Sequence, residues 1–343
     1  MEYLKILDSD YGVLLPFIKN EQITDINWNG SALWVDDLDK GRYKAPIILE
    51  PTFIELFSKK ISNSVNRNFN KYEPLLEAET KELRISILHE KVTNTGRSIS
   101  IRKTPAKRRI NKIKAIKEGY CNESIDAFMK SCIRAGMSII VCGMPGTGKT
   151  EYVKYLTQYI EKEQRVITVE DNLEIRYSSI NPESDSLELK VDEDFTYAMA
   201  IKASLRQRPD WIILSEARGR EVKYLLESTS TGTGCMTTLH TDRVTKIPDR
   251  IINMMGSEGK EKEDTIYSFF NVGVLITRTI ENNKITRKIS QICIFDRNNK
   301  GNHIQMIYTN EKFINTKLPD NFKYRFKEKK IKNPFGGTRY EDS

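Results

Sequence analysis

The sequence has no apolar run near the ~18 residues that a membrane-spanning helix needs, and its start, MEYLKILDSDYG, lacks a secretory hydrophobic segment. These absences argue against a helical membrane protein or a secreted one, and point to the cytosol. Cysteine is sparse: Cys121, Cys132, Cys142, Cys235 and Cys293 are five in number and show no CxxC spacing. Neither a disulfide framework nor a structural zinc site is supported. There is no internal repeat and no low-complexity tract. What is present is ordinary globular composition, 38% hydrophobic and 30% charged, in 343 residues, more than one domain of ordinary size.

The net charge of +8 is unevenly placed. Lys103, Lys107, Arg108, Arg109, Lys112, Lys114 and Lys117 follow one another without an acidic residue, and Lys323–Lys332 holds six basic residues against Glu328. Such runs attract nucleic acid or anionic lipid. The plainer reading is a solvated linker and a solvated tail.

The first hundred residues read as a mixed α+β domain. Short apolar stretches around Ile23–Trp28 and Leu33–Val35 flank Asn29-Gly30, a hairpin signal. Apolar positions from Phe53 to Val65 fall at helical spacing, and Leu83–Leu88 and Ser98–Ile101 alternate as strands. Residues 1–104 are assigned to this domain and 105–118 to a basic interdomain linker. From 119 to 311 the pattern becomes strands Ser138–Cys142, Arg165–Val169, Trp211–Leu214 and Met236–Leu239 with helical stretches between them, the signature of a parallel α/β sheet. Residues 312–343 read as a basic, loosely ordered tail ending in Asn333-Pro334-Phe335-Gly336-Gly337.

Gly143-Met144-Pro145-Gly146-Thr147-Gly148-Lys149-Thr150 is a complete GxxxxGK[ST] phosphate-binding loop. Its glycines let backbone N–H groups turn inward, the following helix points its positive end at the phosphates, Lys149 reaches the β and γ oxygens, and Thr150 ligates Mg²⁺. Glu151 completes the candidate ATP-binding segment. The strand Ile139–Val141 before the loop and the stripe Val153, Leu156 and Ile160 after it supply the required context.

Ligands of parallel sheets sit beyond the carboxyl ends of the strands, so three further segments matter. Glu170-Asp171-Asn172-Leu173-Glu174 follows one strand, and Glu170 is best placed to hold Mg²⁺ or orient water, with an N-cap or solvated acid as the alternative. In Arg208-Pro209-Asp210-Trp211-Ile212-Ile213-Leu214-Ser215-Glu216 an apolar strand delivers Glu216, the arrangement that positions metal-bound or attacking water. Thr231–Thr241 places His240, one of only three histidines, at a strand end, where it senses the γ-phosphate or serves the core.

In this order, these motifs resemble the secretion-ATPase superfamily of type II and type IV secretion, pili and conjugation, closest to its type IV secretion and tight-adherence pilus branch. ITDINWNG, YEPLLEAETKELRISI and TGRSISIRKTP resemble that family's N-terminal domain. The resemblance implies a RecA-like P-loop NTPase domain after a smaller α+β domain, ATP and Mg²⁺ as cofactors without a tightly bound organic group, and a homo-hexameric ring. It also implies attachment to inner-membrane secretion or pilus-assembly proteins at the cytoplasmic face. It assigns Lys149, Glu170, Glu216 and His240 to catalysis, Thr150, Glu170 and Glu216 to the metal, and Arg84 and Arg102 to an approach on the phosphates when two domains close. Two positions depart from the family pattern: Ser215 stands where glycine is usual, and Thr233 where histidine is frequent. The rival readings are a RecA-like nucleic-acid translocase and a nucleotide-controlled scaffold. DNA contact is not favoured, since no basic groove interleaved with aromatics is evident.

Overall fold

The computed structural model describes residues 4–281 and 284–335. It divides into two compact units, residues 1–106 with 279–286, and residues 107–278 with 287–343.

The first unit is built on six strands: β1 (Ile23–Trp28), β2 (Leu33–Asp37), β3 (Gly41–Lys44), β4 (Leu75–Glu79), β5 (Leu83–Leu88) and β6 (Ser98–Lys103). Their order is β3-β2-β1-β6-β5-β4 and every neighbouring pair is antiparallel. Alternation puts Ile26, Trp28, Val35, Ile85, Ile87, Ile99 and Ile101 into one core, covered by Phe57 and Ile61 of the helix Pro51–Ser64. The Asn29-Gly30 hairpin turn forms as expected. Gly30 adopts φ 97°, and a Cβ there would stand 2.0 Å from the Thr95 carbonyl oxygen, so only glycine fits.

The second unit holds nine strands: β7 (Ile139–Cys142), β8 (Val166–Glu170), β9 (Ser186–Lys190), β10 (Trp211–Leu214), β11 (Gly234–Leu239), β12 (Val272–Glu281), β13 (Lys284–Asn298), β14 (Gly301–Thr309) and β15 (Lys312–Phe313). Their order is β15-β14-β13-β12-β7-β11-β10-β8-β9. From β12 to β9 all pairs are parallel, and β13 to β15 extend the sheet antiparallel. β7, β10 and β11 are buried throughout, as a doubly covered sheet requires. One apolar layer includes Phe128, Met129 and Ile133 of the helix Glu123–Arg134, and the other includes Val222, Leu225 and Leu226 of the helix Glu221–Ser230.

Two expectations change. The basic stretch 107–117 belongs to the second unit and is not a bare linker. Arg108 donates to the Lys154 carbonyl at 3.1 Å and to Thr157 Oγ1 at 3.2 Å, and Lys112 pairs with the buried Asp126 at 3.1 Å. Arg108 and Lys112 thus satisfy polar groups and a buried acid of their own unit. The region after 311 is also structured: Leu318, Phe322 and Phe326 are buried in the core, the last two from the helix Asp320–Glu328. The i,i+4 phenylalanines outweigh the surrounding lysines, which remain on the solvent face. Residues 336–343, including Gly336-Gly337, lie outside the described residues.

Candidate active site

Because β7, β8, β10 and β11 run parallel, their carboxyl ends share one edge of the sheet. β7 leads into the loop 143–148 and the helix Lys149–Leu156. Gly143 has φ 150°, and a Cβ there would lie 2.5 Å from the Ile276 carbonyl oxygen and 2.7 Å from Thr147 Oγ1. Gly146 (φ 76°) and Gly148 (φ 89°) are also left-handed. The residue pattern and the backbone therefore agree on an inward-turned phosphate cradle. Lys149 is buried, and its Nζ donates to the Gly143 carbonyl at 3.1 Å and the Met144 carbonyl at 3.4 Å. Burial holds its pKa below the usual lysine value, and the charges of Glu216 and Glu174 oppose that fall.

The sequence-assigned groups meet here. His240 Nε2 lies 2.7 Å from Glu216 Oε1, and His240 Nδ1 lies 3.3 Å from Lys149 Nζ. An ammonium has only donors, so Nδ1 accepts and Nε2–H donates to Glu216, which fixes one neutral tautomer. Arg218 joins the same cluster, 2.9 Å from Glu216 Oε2 and 2.8 Å from Asp171 Oδ2. Burial pulls the Arg218 pKa down, but hydrogen bonding to Glu216 and the charges of Asp171 and Glu216 leave it raised. Sequence reading missed Arg218, although it stands two residues after Glu216, because nothing local shows that Asp171 lies across from it. It also missed Arg287 on β13, whose Nε donates to the Gly146 carbonyl at 3.3 Å, and Arg278, whose Nη1 would stand 3.5 Å from a Cβ on Gly146.

Glu170 takes a different place from the one expected. It is fully buried at the end of β8, where Oε1 accepts from the Ile175 N–H at 3.0 Å and the Glu174 N–H at 3.3 Å, while Oε2 is shielded and unpartnered. Burial raises its pKa to about 8, with Glu174 adding to the rise and the backbone bonds opposing it. A carboxyl largely protonated near neutrality and sealed from solvent anchors the loop 171–175 better than it ligates a metal. Thr150 is half-buried and Glu216 partly exposed, and both fit as Mg²⁺ ligands. Among the described residues no three His, Cys, Asp or Glu side chains converge as a metal site.

The two family departures fall out simply. Ser215 is buried: its carbonyl accepts from Thr238 Oγ1 at 2.8 Å, and its own hydroxyl is shielded from solvent. Thr233 precedes β11 and so lies at the opposite edge of the sheet from His240, about 20 Å away by strand rise. In the first unit, Arg84 and Arg102 are cross-strand partners on β5 and β6, pairing with Glu77 at 3.6 Å and Asp25 at 2.8 Å.

A family model described as Type II/IV secretion system protein matches residues 75–316. An uncharacterized protein of Bacillus anthracis is 30% identical over 276 residues, 78% of this chain and 62% of the relative. VirB11 of Agrobacterium fabrum is 33% identical over 133 residues, 37% of this chain and 38% of the relative. The chain thus spans less than two thirds of the length of either. The Legionella pneumophila ATPase DotB shares the fold, with a TM-score of 0.64 at 15% identity over 86% of this chain and 83% of that one. No helix among the described residues is long and apolar enough to cross a membrane. With phosphate loop, strand-end acid and histidine gathered at one edge of the sheet, and the family match running through all of them, this chain belongs to the type II/IV secretion system protein family.

Proposed function

We propose that the chain is a Mg²⁺-dependent ATPase that works as a homo-hexameric ring and powers type IV secretion, conjugative transfer or pilus assembly. Membrane-bound secretion or pilus proteins are its partners, at the cytoplasmic face of the membrane. The observation that carries this reading is the line Lys149–His240–Glu216, which joins the ends of β7, β11 and β10 through contacts of 3.3 and 2.7 Å.

In this reading the loop 143–148 and Lys149 hold the β- and γ-phosphates, and Thr150 and Glu216 would hold Mg²⁺, which when bound would supply charge to screen the phosphate oxygens. Glu216 orients the water that attacks the γ-phosphorus, breaking its bond to the bridging oxygen so that ADP and phosphate separate. His240, bonded to both Glu216 and Lys149, reports the γ-phosphate to the carboxylate. Glu170 holds the acidic loop in place and is a positioning residue.

Arg84 and Arg102 supply positive charge from the N-terminal unit. They are cross-strand neighbours on β5 and β6, each beside one surface carboxylate, and their guanidinium forks are suited to an anion. ATP offers more groups to bind than ADP, so hydrolysis changes the affinity of the residues that reach the γ-phosphate.

The test is ATP turnover with and without Mg²⁺ across a range of protein concentrations. Turnover that requires Mg²⁺ and rises as a ring assembles supports the motor. Nucleotide binding with no turnover in the assembled state supports a nucleotide-controlled scaffold instead.

A further inference from the structure

The edge of the sheet opposite the phosphate loop carries a cavity of about 340 Å³, within the range of small-molecule sites, about 300–1,000 Å³. It opens where β8, β10 and β11 begin: Gln164 stands two residues before β8, Asp210 immediately before β10, and Gly232 two residues before β11. Arg134 ends the helix Glu123–Arg134 on one side, and Arg325, Glu328 and Lys329 lie at the end of the helix Asp320–Glu328 on another. Gly232 and Lys329 are exposed, so the cavity communicates with solvent, and a Cβ on Gly232 would meet nothing within 4 Å. None of these groups enters the hydrolysis reading.

The unmet capacity in this cavity is that of donors. Gln164 Oε1 accepts from Trp211 Nε1 and from the Glu161 N–H, each at 3.3 Å, which fixes the amide's orientation and leaves Nε2 without a partner among the described residues. Arg325 is half-buried, and its guanidinium donates to the Gly136 carbonyl at a long 3.4 Å. Burial holds its pKa below the usual arginine value, with Glu328 opposing the fall, as for a cation short of counter-charge. The Lys329 ammonium meets no partner among the described residues. The carboxylates, by contrast, are in use: Asp210 Oδ2 accepts from the Arg165 N–H at 2.7 Å, and Glu328 Oε1 accepts from the Tyr324 hydroxyl at 2.8 Å. Arg134 is likewise committed, to Glu161 at 2.6 Å.

We propose that this cavity binds the phosphate group of a small organic phosphate, with Arg325 and Lys329 as counter-charges and the Gln164 amide as a third donor. Ionised phosphate oxygens are acceptors, and a guanidinium edge matches two of them at once. The rest of the volume takes the organic part. Cations in the last turn of a helix also complement its dipole. That role accounts for Arg325 and Lys329 singly, and leaves the unused Gln164 amide lining the same space unexplained. β8, β10 and β11 run from this cavity to Glu170, Glu216 and His240, so the two sites lie at opposite ends of the same strands and a ligand here does not compete with nucleotide.

The experiment is calorimetric titration of the full chain with glycerol 3-phosphate and with inorganic phosphate, each with and without saturating ADP and Mg²⁺. Wild type, Lys329→Ala, Gln164→Glu and Arg325→Ala are compared, beside a thermal melt of each. Gln164→Glu keeps the acceptor for Trp211 and Glu161 and puts negative charge where the free donor was. The proposal expects one saturable site that persists with ADP present and weakens about tenfold or more in each variant. Lys329→Ala and Gln164→Glu should melt near wild type, and these two carry the test should Arg325→Ala unfold. Glycerol 3-phosphate is expected to bind more tightly than inorganic phosphate, and equal affinity would overturn the organic ligand in favour of the free ion. No saturable binding beside ADP would place any phosphate heat on the nucleotide loop, and unchanged affinity in Lys329→Ala and Gln164→Glu would leave the cations as helix caps; either result overturns the proposal.

Discussion

His240 stands between Lys149 and Glu216, with one ring nitrogen 3.3 Å from the ammonium and the other 2.7 Å from the carboxylate. The arrangement couples the loop lysine, proposed to grip the phosphates, to the strand-end acid, proposed to orient water, and only the neutral Nε2–H tautomer serves both contacts. Replacing His240 with alanine is expected to lower kcat by about 10- to 100-fold while ATP affinity changes little, because Lys149 keeps its place on the loop. Single-turnover kinetics beside direct binding reads the two apart. A loss of affinity at unchanged kcat would make His240 a binding residue instead.

Glu170 gives a pH signature. Its carboxyl ionises near 4.5 when the chain is unfolded and at about 8 when folded. Between those values the folded state binds one more proton than the unfolded state, so stability falls as pH rises, and the loss is complete above about pH 8. The size is on the order of 5 kcal/mol. Glu170→Gln keeps an oxygen for the Ile175 and Glu174 N–H groups and removes the titration. Its melting temperature should exceed that of wild type by a margin that grows from pH 5 to pH 8.5, and a margin independent of pH would contradict the buried, proton-holding acid.

Two glycines separate close approach from backbone strain. Gly143 has φ 150° and Ile276 oxygen against its Cβ position, whereas Gly232, at φ 95°, faces open space. Alanine at 232 is expected to cost about 1 kcal/mol of strain, and alanine at 143 about 2 kcal/mol more together with measurable loss of nucleotide binding. Chemical unfolding of both variants checks the difference.

The paired arginines make a fourth test. Arg84 and Arg102 are 39% and 56% exposed, and their ion pairs sit at the surface, where such pairs add little stability. Replacing both with alanine should leave the melting temperature nearly unchanged and lower turnover by at least about tenfold. Unchanged turnover removes them from the mechanism.

Much of this site was legible in the sequence because its parts are local. A strand, a glycine-rich turn and a helix start occupy fourteen consecutive residues from Ile139 to Tyr152, and the parallel sheet rule carries Glu216 and His240 to the same edge. Arg218 and Arg287 were not legible, since each acquires meaning from residues far away in the chain: Asp171 and Gly146. The segment after 311 misled for a different reason. Its lysine density dominates the composition, but Phe322 and Phe326 carry the fold, and two apolar residues four apart were the signal available.

The central claim is that Glu216 is the acid of an ATPase that works in a ring. Steady-state ATP turnover of wild type and Glu216→Gln, followed against protein concentration with particle size determined in the same samples, tests it most directly. The account predicts wild-type turnover that rises as the ring forms and a variant that assembles and binds ATP but loses turnover. Turnover that survives in the variant, or that belongs to a monomer at every concentration, would contradict it and leave the acidic loop at Glu170–Glu174 as the next place to look.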